Sequence, residues 1–137
     1  MPSNHFESTE TGIEDSLRIL QVAKRHLYSA KTISQIDLDG SFQLLYDAAR
    51  KSIQSVLTAE GFRITAAGGH YAYVKVAESP VFEHVVWQEF RSMRLVRNLL
   101  EYPQADVATV SLLDVATCAT HVLQMITEVE KVLSRSK

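Results

Sequence analysis

The chain predicts an all-α protein, an antiparallel up-down four-helix bundle with a short extra helix or ordered loop between its second and third helices. Three observations carry this. Apolar residues recur at spacings of three and four in four separate stretches, the period of a helix with one buried face. Most connections between the stretches are short, which packs sequence neighbours side by side and antiparallel. Strand-like alternation occurs in one segment only, and a lone strand has nothing to pair with.

The elements follow in order. Residues 1–11 read as a flexible N-terminal tail, and 12–137 as one domain. Thr11 and Glu14 have the spacing of a capping box. Beyond them Ile13, Leu17, Leu20, Ala23, Leu27 and Ala30 form one stripe of a helix ending near Ser34. Asp37 or Asp39 can cap the second helix, whose stripe is Phe42, Leu45, Ala49, Ile53 and Val56. Gly61 then stands as a C-terminal cap, with Phe62 placed to fold back on the last turn. Gly68-Gly69 marks a turn. Residues 70–77 alternate like a strand but stand alone, so they read as a short helix or ordered loop. The third helix runs from about Pro80 to Tyr102, with Pro103 closing it. Asp106 can cap the fourth, which carries Leu112, Val115, Ala119, Val122, Ile126, Val129 and Leu133.

Composition limits the function. A length of 137 residues with 46% apolar content suits one domain with one core. The net charge of -2 gives no global field that would drive the chain onto nucleic acid, so such contact needs a local basic patch. No apolar run is long enough for a membrane span, and residues 1–12 lack the basic-then-apolar order of a signal peptide. A cytoplasmic location is the expectation. The single cysteine, Cys118, excludes an intrachain disulfide or a multi-cysteine zinc site, and reads as a core residue. His26, His84 and His121 each lack a glutamate three residues earlier, so the Glu-x-x-His metal motif of di-iron bundles is missing. Gly68-Gly69 has no following Gly-Lys-Ser/Thr and is not a P-loop. The expectation is no metal and no cofactor.

The segment from Arg91 to Pro103 is the most informative. Turning about 100° per residue from Phe82, one apolar arc collects Val85, Val86, Met93, Val96, Leu99 and Leu100. Arg97 falls at its edge. Arg94, Asn98 and Glu101 fall on the more open side with Trp87, and Arg91 and Tyr102 lie beyond. An arginine at the rim of an apolar face keeps its charge and needs a partner. Glu101, four residues on, can supply it as an ion pair. The other reading is an anion or phosphate pocket of Arg94, Arg97 and Asn98, because the guanidinium fork matches phosphate. Leu95, with Tyr102 and Trp87, suits a dimer contact.

This segment, with the bundle layout, resembles the HEPN domain superfamily. Its signature is an arginine, usually a polar residue after it, four to six residues, then a histidine. Arg97-Asn98 matches the arginine and the polar residue. Tyr46-Asp47-Ala48-Ala49-Arg50 with Leu57 to Phe62 looks like the second helix and turn of a stand-alone branch. Gly69-His70-Tyr71 looks like its following segment, and Arg94 to Asn98 with Glu101-Tyr102-Pro103 like its motif helix. The resemblance covers roughly residues 13–134. It implies a small helical bundle, commonly a homodimer, that acts as a ribonuclease, as a toxin, or as partner of a minimal nucleotidyltransferase. It places Arg97, Asn98 and Tyr102 at the catalytic positions. The binding candidates are Arg94, Arg97, Asn98, Glu101, His70, Tyr46, Asp47 and Arg50, of which Tyr46, Asp47 and Arg50, within one turn of helix, read equally as a structural polar network. The chain departs at the histidine: positions 102–104 are Tyr102, Pro103 and Gln104. Histidine exchanges a proton near neutral pH, whereas tyrosine titrates near pH 10. His70 is the candidate replacement. The resemblance thus implies a domain that contacts RNA or a nucleotide as an accessory or regulatory partner without efficient catalysis. The alternatives are a metal-independent ribonuclease with an altered motif and a purely structural dimeric bundle.

Overall fold

Side-chain caps fix the starts of the second and fourth helices in the computed structural model, which describes residues 6–8, 12–59, 62–64, 84–101 and 110–135. Helix α1 spans Ile13–Ile33, α2 Leu38–Ala59, α3 His84–Glu101 and α4 Leu112–Arg135. Two three-residue strands, β1 (Phe6–Ser8) and β2 (Phe62–Ile64), pair antiparallel with Phe6 opposite Ile64. Part of the segment read as a tail is therefore hydrogen-bonded to the chain after α2. The architecture is all-α apart from this ladder.

The N-cap of α1 is Gly12, one residue beyond the expected Thr11, and no side chain caps it. The first helical bond runs from the Ser16 amide to the Gly12 carbonyl. Asp37 caps α2 by accepting the Gly40 amide at 2.9 Å, which decides between the two aspartates. A Cβ at Gly40 would lie 2.3 Å from an Asp37 carboxylate oxygen, so glycine is what lets this cap close. Gly61 lies outside the described residues, and Phe62 opens β2. Helix α4 is capped by a reciprocal box that the sequence reading missed. The Asp114 amide donates to Ser111 Oγ at 3.1 Å, and the Ser111 amide donates to the Asp114 carboxylate at 3.0 Å. Asp106 is not the cap and lies outside the described residues, as do residues 70–83 and 102–109.

The expected up-down topology follows from the pairings. Ser16 meets Ser55, His26 meets Asp47 and Ala30 meets Ser41, so residue numbers fall on α2 as they rise on α1. Lys24 reaches Glu130 on α4, and His121 on α4 reaches Glu89 on α3. Helices α2 and α4 form the central pair, with α1 and α3 on either side. Accordingly α2 is buried on most of its circumference, from Phe42 and Leu45 through Ala48 and Ser52 to Leu57. Phe90 and Met93 of α3 and Val122, Met125, Ile126 and Val129 of α4 complete the core. No helix among the described residues is long and apolar enough to cross a membrane.

One stripe residue is displaced. Leu17 is 37% exposed, and Ser16 takes its place in the core. The buried residues Leu20, Ala23, Leu27 and Ala30 centre on the direction of Ser16, with Leu17 about 100° away. Ser16 is tolerated because its hydroxyl donates to Ser55 Oγ at 3.0 Å, while the Ser55 hydroxyl donates to the Ser16 carbonyl at 2.9 Å. Removing one partner strands the other without water. Ser55→Ala alone is expected to cost about 1–3 kcal/mol, and Ser16→Ala with Ser55→Ala less than the sum of the singles. Urea unfolding of the three variants checks this; strict additivity would mean the two hydroxyls are not coupled.

Candidate anion-binding face

The arginines of α3 meet α2 at Tyr46. Arg97 is half-buried, with its Cζ 5.7 Å from the centroid of the Tyr46 ring, within cation–π range. Tyr46 is only 3% exposed and stacks on Phe90 with centroids 5.6 Å apart and planes 10° from parallel. It is a packed support for Arg97. The apolar arc read from the sequence omits Phe90, which is fully buried. With Phe90 included, Arg97 lies between Phe90 and Met93 rather than at the rim.

Arg94 is half-buried one turn before Arg97, and its Nε is buried with no hydrogen-bond partner among the described residues. Asn98 is half-buried, and Arg91 is exposed. Leu95 is 58% exposed on the far side of the helix, as expected. Glu101 ends α3, but its side chain lies outside the described residues, and so does the ion pair expected between it and Arg97. His70 and Tyr102 also lie outside them.

Asp47 and Arg50 sit on α2 next to Tyr46 in one network. Arg50 donates to Asp47 Oδ1 at 2.5 Å, and Lys51 Nζ lies 3.5 Å from Oδ2. His26 Nδ1 lies 2.6 Å from the same oxygen, an ion-pair contact without hydrogen-bond alignment. Burial raises the Asp47 carboxyl, but the Arg50 hydrogen bond and the charges of Lys51, Arg50 and His26 outweigh it. The carboxyl is held below its ordinary value of 3.8. His26 and Lys51 were not among the sequence candidates. The signal for His26 was present, because an antiparallel hairpin closed at residues 34–37 puts position 26 across from 47.

A carboxyl with a lowered folded pKa stabilises above its unfolded value, and that stability is lost as pH falls through the folded value. The melting temperature of the parent chain should therefore exceed that of Asp47→Asn most above about pH 5. The gap should close as pH drops below 3.8. Solvent screening keeps the whole effect to about 1 kcal/mol or less. A gap that does not change with pH would remove the charge network as its cause.

The cationic groups Arg94, Arg97, Arg50 and Lys51 thus lie on the side of the bundle where α2 is flanked by α1 and α3. Asp47 neutralises part of that charge. Among the described residues no cluster of three or more His, Cys, Asp or Glu is placed to hold a metal ion. Comparison with protein-family models, with curated proteins and with solved structures finds no match in any of the three.

Proposed function

We propose that the chain is a HEPN-like domain that binds the phosphates of single-stranded RNA or a nucleotide, acting as a cytoplasmic accessory or regulatory partner without efficient catalysis. The observation that carries this is the pairing of Arg97, held over Tyr46, with Arg94, whose Nε has no hydrogen-bond partner among the described residues. Two guanidinium groups three residues apart on one helix face, one with donor capacity unspent, suit an anion with several oxygens. The replacement of the motif histidine by Tyr102 supports the absence of efficient cleavage, since no residue at that position takes up a proton near neutral pH. In this reading the domain works as a homodimer, and its protein partner is a nucleotidyltransferase or another member of a toxin–antitoxin pair.

One observation favours a purely structural bundle instead. The His26, Asp47, Arg50 and Lys51 contacts spend two of the available cations within the protein.

Binding of a labelled single-stranded RNA at low salt separates the readings. Phosphate contacts weaken with salt, with a slope of about 0.7 per phosphate on a single strand. Arg94→Ala and Arg97→Ala should each lower affinity and reduce that slope by about one contact. The melting temperature should change little. No binding at low salt, or a mainly thermal effect of Arg97→Ala, leaves the structural reading. Cleavage in the presence of a chelator that Arg97→Ala abolishes at unchanged stability would establish the ribonuclease reading.

A further inference from the structure

The opposite wall of α3 has the opposite charge. Between α3 and α4 a half-open cavity of about 310 Å³ is lined on its apolar side by Phe42, Met93, Val96 and Leu113. Glu89 and Asp114 supply its charge, and no lysine, arginine or histidine is among the described residues that line it. Its volume is at the small end of the range, about 300–1,000 Å³, typical of small-molecule sites.

We propose that this cavity binds a small organic monocation, an ammonium carried on a short alkyl or aryl group. The apolar walls, above all the half-buried Val96 and the exposed Leu113, take the hydrocarbon. The ammonium lies toward Asp114, which is exposed, and Glu89. Asp114 is kept ionised: the backbone and hydroxyl hydrogen bonds from Ser111 lower its pKa below 3.8. Cys118 reports the field inside. Burial raises its thiol, and the charges of Glu89 and Asp114 raise it further, to about 11. The field that opposes a thiolate there favours a cation. His121 touches Glu89 from α4 at 2.8 Å, so the exposed Asp114 is the freer of the two carboxylates for the ligand. A bare metal ion is a poor alternative, because the described residues offer no group of three ligands and much of the wall is apolar.

The test uses benzyltrimethylammonium, with benzyl alcohol and benzoate as neutral and anionic controls, titrated into the full chain by calorimetry. The cation is expected to bind about tenfold more tightly than either control and to raise the melting temperature with concentration. Amide NMR shifts should fall at Ser92, Thr117 and Cys118, which line the cavity. Glu89→Gln and Asp114→Asn are each expected to weaken binding several-fold and together about tenfold. Asparagine keeps an acceptor for the Ser111 amide, and each single variant is read by itself if the double one unfolds. Three outcomes would overturn the proposal: no binding, equal affinity for cation and alcohol, or shifts that map elsewhere. Full affinity in the variants would do the same.

Discussion

Phe90→Ala is expected to destabilise the chain by about 3–5 kcal/mol, the cost of emptying a buried phenylalanine site. In a domain of this size that lowers the melting temperature by about 10 °C or more. The ring is fully buried and lies parallel to Tyr46 across the α2–α3 contact. Its loss removes dispersion contacts, and it takes away the stack that holds Tyr46 beneath Arg97. Two effects should therefore appear together, a lower melting temperature and weaker RNA binding. Arg97→Ala should produce the second without the first. Phe90→Leu recovers most of the volume, so it should recover most of the stability but not the ring-on-ring contact. A Phe90→Ala chain that melts within a few degrees of the parent would mean that α3 is not packed on α2 through this residue.

The helices were legible because large apolar residues at helical spacing are nearly sufficient to find them. Leu20, Phe42, Leu45, Ile53, Val122 and Leu133 all stand in the core as their stripes predict. Helix starts were less legible, because several groups compete for each cap. Asp37 and Asp39 were equivalent until the amide of Gly40 selected the first. The Ser111–Asp114 box has the serine-x-x-acid spacing of a capping box, the pattern also present at Thr11 and Glu14, but Asp106 competes for the same helix start five residues earlier. Helix α2 shows a different limit. One stripe was expected, but a central helix is buried on several sides, and its second face is made of Ser41, Ala48, Ser52 and Ser55. A hydrophobicity count does not see such residues. At the candidate site, Arg97 was placed near the apolar arc from its angle alone. Its support by Tyr46 required knowing how α2 and α3 align, and that register is a tertiary fact.

The small residues lead to the second large effect, a loss of about 3 kcal/mol or more on placing leucine at position 48. Ser16, Ala23 and Ala30 recur every seven residues on α1, and Ser41, Ala48 and Ser55 do so on α2. All six are buried. The outer pairs meet directly: Ser16 Oγ is 3.0 Å from Ser55 Oγ, and Ser41 Oγ donates to the Ala30 carbonyl at 2.7 Å. In an antiparallel pair the same register sets Ala23 against Ala48, and neither side chain retains any exposure. A serine hydroxyl reaches the backbone of the facing helix only when the two helices lie close. The seam between them therefore has room for a methyl group at each middle position and little more. Leucine at 48 adds three carbons, which must enter an off-rotamer conformation or push α1 outward. Displacing α1 would also stretch both serine contacts. Ala48→Gly should cost only about 1 kcal/mol through helix propensity, and Ala116→Leu, at an exposed position of α4, about 0.5 kcal/mol or less in either direction. A leucine penalty at position 48 well above that of glycine there and of leucine at 116 is the signature of close helix contact. If leucine at 48 melted with the parent chain, the helices would be farther apart than the serine bonds require.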